Sequence, residues 1–201
     1  MCRAVSIILV ILLSLVTYSL TVKYEFILEE ENIFSKCHDE HPGYSDINKL
    51  LDLSNFSMKF VEGGTEVSGY LTTLWDNEPT DIIQASVGVT YLDRGFWQPT
   101  ILNMKYNDFC SIWIDKNNFF YQVTSHILNY DEAKKNCLNV AGTKLTFEPF
   151  VMSITYGLDV PLRPGRYKMT YLLTAVDKHG NLRPTPICAD INGSFEKLKT
   201  K

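Results

Sequence analysis

Tyr167-Lys168-Met169-Thr170-Tyr171-Leu172-Leu173-Thr174-Ala175 is the stretch that decides the fold. Tyr167, Met169, Tyr171, Leu173 and Ala175 alternate with Lys168, Thr170, Leu172 and Thr174, the two-residue period of a strand with one face on a core. Asp177-Lys178-His179-Gly180-Asn181 comes next and reads as a hairpin turn, with Gly180 available for a positive φ. A second alternating run returns along the first. Ile187, Ala189, Ile191, Gly193 and Phe195 form its apolar face, and Cys188, Asp190 and Asn192 point the other way.

The same period recurs upstream. Ile83, Ala85, Val87, Val89 and Tyr91 share one face of a strand, and Val67, Gly69, Leu71, Thr73 and Trp75 share another after the Gly63-Gly64 turn. Phe56, Met58 and Phe60 line one side of the run 53–60. Shorter strands are predicted over 24–28, 100–106, 144–147 and 152–156, the last two interrupted near Pro149. Only one helix is predicted, capped by Asn117-Asn118, with Phe120, Val123, Thr124 and Ile127 at helical spacing. Many short strands and one helix predict an all-β fold, a two-layer antiparallel β-sandwich with one short helix in a connection.

The chain has 201 residues, 45% hydrophobic and 21% charged, with a formal net charge of −4. That is the composition of a globular protein large enough for one good core. No basic stripe appears, so no nucleic-acid partner is expected. At the N-terminus Arg3 precedes an apolar run over 4–16, and Thr17-Tyr18-Ser19 offers small residues at a cleavage site. A run of about 13 residues suits a signal peptide and is too short to span a bilayer. The expectation is a signal peptide over 1–19 and a secreted, extracellular single domain over 20–201.

Cys37, Cys110, Cys137 and Cys188 then remain, an even set in an oxidising compartment. Four cysteines allow three pairings, and sequence alone does not choose among them. The favoured one ties the two ends of the domain, Cys37–Cys188, and closes a local loop, Cys110–Cys137. The sequons Asn55-Phe56-Ser57 and Asn192-Gly193-Ser194 both fall on the outward side of their predicted strands, where a glycan fits.

Motifs of catalysis are missing. The chain holds no G-x-S-x-G elbow, no H-E-x-x-H helix and no phosphate-cradling glycine loop. His38-Asp39-Glu40-His41, ending in Pro42-Gly43, reads as a solvated loop beside a disulfide rather than a metal site. His126, on the predicted helix, reads as a capping or surface residue. No catalytic residue, metal or cofactor is therefore expected. What stands out is the aromatic content, with Trp 3, Tyr 11 and Phe 11. Trp75, Tyr91, Phe96, Trp97, Trp113 and Phe120 fall near strand ends or in connections and are the candidate ligand-binding residues, since ligand pockets are mainly apolar. Ordinary core packing is the competing reading.

Pro161-Leu162-Arg163-Pro164-Gly165-Arg166-Tyr167-Lys168-Met169, a charged turn, and then Pro186-Ile187-Cys188-Ala189-Asp190-Ile191 resemble the ending of ML-type lipid-recognition domains. The likeness is greatest to the ganglioside-activator branch and, within it, to the insect chemosensory CheA/CheB proteins. It is most legible over 106–195. The resemblance implies a β-cup whose two sheets splay around an apolar cavity, together with Cys37–Cys188 and Cys110–Cys137 bridges. It implies a lipid, fatty acid, cuticular hydrocarbon or other contact pheromone as ligand, a membrane receptor or membrane surface as onward partner, and no turnover. With only two possible bridges, the chain departs from the ganglioside-activator pattern. The alternative is an extracellular protein-binding sandwich with a filled core and Arg94, Phe96 and Trp97 as surface anchors.

Overall fold

The computed structural model describes residues 21–37, 41–75 and 77–199. The expected signal peptide and His38, Asp39 and Glu40 lie outside the described residues. Eleven strands are present among those described: β1 (Val22–Leu28), β2 (Ser35–Lys36), β3 (Leu51–Asp52), β4 (Phe56–Val61), β5 (Gly64–Thr73), β6 (Ile82–Asp93), β7 (Phe96–Tyr106), β8 (Lys144–Met152), β9 (Ile154–Leu158), β10 (Arg166–Val176) and β11 (Ile187–Lys197).

They form two antiparallel sheets. The larger runs β7-β6-β10-β11-β1-β9, with β2 also paired to β11. Its centre is β10, held to β6 from Tyr167↔Tyr91 to Val176↔Ile82 and to β11 from Arg166↔Ser194 to Leu173↔Ile187. In the smaller sheet β5 is flanked by β8 on one side and by β3 and β4 in succession on the other. The mostly-β, two-layer expectation holds.

Inward faces match the alternation. Tyr167, Met169, Leu173 and Ala175 of β10 are buried, as are Ile83, Ala85, Val87 and Val89 of β6 and Val67, Leu71 and Thr73 of β5. The outer face of β10–β11 does not. Lys168 and Asp190, on the face opposite the apolar one, are only 4% and 3% exposed. Lys168 Nζ lies 3.8 Å from Asp190 Oδ2, Thr170 Oγ1 donates to Asp190 Oδ1 at 2.6 Å, and the Trp97 ring sits 5.2 Å from Lys168 Nζ. Opposite charges with a hydrogen bond and an aromatic cover are what a buried ion pair requires. Phe60, expected on the core face, is 47% exposed beside the Gly63-Gly64 turn.

Two further corrections have local causes. Pro149 does not interrupt β8. The register jumps from Val67↔Phe150 to Gly69↔Phe147, so Glu148 and Pro149 stand in a bulge opposite Ser68, and a bulge tolerates a residue without an N–H. The single predicted helix is three short ones, α1 (Phe109–Ile112), α2 (Tyr121–Thr124) and α3 (Tyr130–Asn136). After α2, Leu128 N donates to Thr146 O and Glu148 N to His126 O, so the chain is drawn onto the edge of β8 and the helix stops.

Both favoured cystines are present. Cys37–Cys188 closes the ends with a Cα–Cα distance of 5.8 Å, and Cys110–Cys137 ties α1 to the end of α3 at 5.7 Å. At Ser153 the backbone leaves β8 in one sheet and enters β9 in the other.

Where β5 meets the kink between β3 and β4, Gly69 has φ +91°, and a Cβ there would stand 2.1 Å from Asn55 O. Gly142 has φ +84° and nothing within 4 Å. Gly69→Ala therefore carries both backbone strain and a collision with a carbonyl, and is expected to destabilise by about 3 kcal/mol, against about 1 kcal/mol for Gly142→Ala. Equal losses in urea unfolding would show that the close approach at Asn55 is not a constraint.

Candidate ligand cavity

A cavity of about 240 Å³ lies between the two sheets and the helical interval. Met58, Val67 and Leu71 face it from the small sheet, Tyr171, Leu173 and Ile191 from the large one. Phe109, Trp113, Phe119, Phe120 and Val123 close it from the helices. No charged side chain lines it. Its position follows from the chain: β5 and β10 deliver inward rows of alternate residues, and the short helices lie where the smaller sheet ends.

The helical wall is fixed by polar bonds at its back. Asp108 caps α1 by accepting from Ser111 N at 3.3 Å, and Thr124 Oγ1 donates to Trp113 O at 2.7 Å. Ring contacts continue it inward, with Phe109–Phe120 centroids 5.1 Å apart and Phe119–Tyr156 centroids 5.2 Å apart.

Three tyrosines bring hydroxyls into or beside this apolar space. Tyr171 and Tyr156 line it and donate weakly to the Met169 thioether, at 3.8 and 3.9 Å, while Tyr106 donates to Met104 Sδ at 3.3 Å. Burial raises the pKa of all three, and for Tyr171 and Tyr156 the neighbouring phenols add to the rise. They remain neutral at any physiological pH.

Of the six aromatics singled out from sequence, Trp113 and Phe120 line the cavity. The other four do not. Trp75 is buried, its Nε1 donating to Thr185 O at 3.2 Å, and it borders a separate polar hollow of about 650 Å³ at the surface. That hollow also takes in Lys49, Glu78 and Arg183. Beside it Arg183 grips the buried Asp81 through Nε at 2.7 Å and Nη2 at 3.0 Å and holds that carboxyl below its usual range. Tyr91 donates to Pro164 O at 3.1 Å, Phe96 is 72% exposed in the β6–β7 hairpin, and Trp97 covers Lys168 on the outer face. Position near a strand end does not distinguish the end that faces the cavity from the end that faces water.

Sequence reasoning missed Tyr171, Tyr156 and Phe147. For Tyr171 a signal existed: a hydroxyl-bearing residue on the apolar face in mid-strand, where a phenylalanine packs at least as well. Of the sequon residues, Asn55 is exposed on the turn before β4. Asn192 is half-buried in β11 and its Nδ2 donates to Ser35 Oγ at 3.1 Å, so a glycan there displaces a bond. His126 stacks on Phe150 at 3.9 Å with Nδ1 2.8 Å from Glu148 Oε1. Among the described residues no group of three metal-ligating side chains occurs, and no helix is long and apolar enough to cross a membrane.

Compared with known proteins, the chain matches no family model and no curated protein.

Unfolded tyrosine ionises near pH 10, and the folded cavity tyrosines hold their protons above it. Between those values the unfolded state has lost protons that the folded state keeps, so stability falls as pH rises. Urea midpoints are expected to drop between pH 9 and 11, and less steeply in Tyr171→Phe. Equal slopes in the two proteins would refute the burial of that hydroxyl.

Proposed function

We propose that this protein is a secreted, non-enzymatic carrier that holds a small hydrophobic ligand between its two sheets. One observation supports it above all: a cavity of about 240 Å³ whose walls are apolar and carry no charge. Dry apolar cavities of about 150 Å³ take up benzene, and ligand sites commonly begin near 300 Å³. Scaled from benzene, the space suits a guest of about ten heavy atoms. Uptake is driven by desolvation, on the order of 25 cal/mol per Å² of apolar surface.

The two antiparallel sheets with a cavity between them and the paired cystines fit the β-cup that the ML-type resemblance implies. Under that resemblance the ligand is a lipid-like or pheromone-like chemosensory signal passed to a membrane receptor or membrane surface. A long cuticular hydrocarbon exceeds the space described, so smaller ligands are favoured. The two disulfides agree with an oxidising, extracellular setting. A protein-binding module is the second reading, and Phe96, 72% exposed, supports it. A cavity in place of a filled core weighs against it.

Native mass spectrometry of the protein secreted from eukaryotic cells, before and after solvent extraction, tests the carrier reading. Discrete small adducts lost on extraction are expected. A bare mass and no uptake from a mixed panel of volatile and lipid ligands would move the assignment to the protein-binding module. Phe120→Ala is expected to shift uptake toward larger ligands, whereas Trp97→Ala leaves it unchanged, because only the first residue borders the cavity. Equal effects of the two would dissociate binding from this cavity.

A further inference from the structure

The wall of the cavity has one join that no backbone ladder closes. β9 ends the larger sheet, and among the described residues no strand pairs its outer edge. Phe120 and Val123 line the cavity from the helical side, and Ile154 and Tyr156 line it from β9. Gln122 and Thr155 therefore lie where the two walls meet. Gln122 crosses the join as a neighbouring strand would. Its Nε2 donates to Thr155 O at 3.1 Å, and its Oε1 accepts from Thr155 N at 3.1 Å and from Thr155 Oγ1 at 3.4 Å. One side-chain amide thus satisfies both backbone groups of an edge residue. The apolar contact across the same join is Phe119 against Tyr156, with ring centroids 5.2 Å apart.

The two sides of this join differ in freedom. β9 pairs with β1 from Val22↔Leu158 to Phe26↔Ile154, and Ser153 beside it bonds Glu25. Helix α2 is a single turn without a side-chain cap, too short to be stable alone. Its other anchors lie away from β9: Thr124 Oγ1 bonds Trp113 O, and just past the helix His126 O and Leu128 N bond β8. Breaking the Gln122 bonds frees the β9 side of α2 while those anchors act as a hinge. We propose that α2 is the lid of the cavity and Gln122 its latch, so that a guest enters and leaves between α2 and β9. This rests on the carrier reading above and adds the route into its site. The latch is closed with and without a guest, so it governs how fast the site fills rather than how tightly it holds.

Fluorine NMR of para-fluoropropylbenzene, a guest of about ten heavy atoms, reads affinity and exchange rate together from its free and bound resonances. Gln122→Leu keeps the bulk of the side chain but makes no hydrogen bond. It is expected to speed guest exchange about thirty-fold and to change affinity by less than about three-fold. Thr155→Val removes only the hydroxyl and leaves the backbone groups that hold the latch, so its exchange is expected to stay within about two-fold of the unsubstituted protein. In the unsubstituted protein the Thr155 amide is expected to exchange hydrogen by local opening, ahead of global unfolding, a readout that needs no variant. Three results overturn the latch and leave the carrier standing: equal guest exchange in the two variants, faster exchange matched by an equal loss of affinity, or a Thr155 amide that exchanges only on global unfolding. Absence of a bound resonance in the unsubstituted protein overturns the carrier and the inference with it.

Discussion

The two sheets are unequal, and most of the architecture answers to that. The larger sheet is six strands wide with β2 appended, while the smaller is three strands wide because β3 and β4 share one edge of β5. A sheet buries its apolar face only against another layer, and here the partner layer is too narrow. Phe109, Trp113, Ala133, Cys137 and Leu138 cover the remainder, packing in one cluster with Ile83, Ala85 and Leu173. The cavity lies where these three surfaces meet. A pleated face and a set of short helices do not share a repeat, so their side chains do not interdigitate throughout.

Helices this short have no stability of their own, since nucleation costs more than one turn returns. Their order comes from outside: the Cys110–Cys137 cystine, the Thr124–Trp113 bond and the pairing of Ile127 against Phe147. On the loop-entropy account such a cystine contributes about 3–4 kcal/mol. The wall of the cavity is thus held by cross-links rather than by helix propensity.

Legibility in the sequence followed the range of the interactions involved. β6, β10 and β11 were readable because each has one buried face, and period-two alternation is a local property. The burial of Lys168 and Asp190 was not legible because it depends on each other and on Trp97, which is far away in the chain. Helix α2 began near the predicted cap but ended after one turn, because hydrogen bonds to β8 won over continued helical spacing. Trp113 and Phe120, which line the cavity, and Trp75, Tyr91, Phe96 and Trp97, which do not, were not separable by composition. Which aromatic faces a cavity is decided by where the smaller sheet stops, and no single segment encodes that.

Ser153 joins β8 in one layer directly to β9 in the other, and the side-chain hydroxyl of Ser153 bonds Glu25 in β1 of the larger layer. Along that seam the layers share a backbone. Any thickening of the sandwich would therefore open as a wedge with its apex at the seam. Were the proposed guest present, its bulk would translate into an angle between sheets rather than a uniform gap. Residues near Ser153 would keep their spacing, and tolerance for size would grow with distance from it.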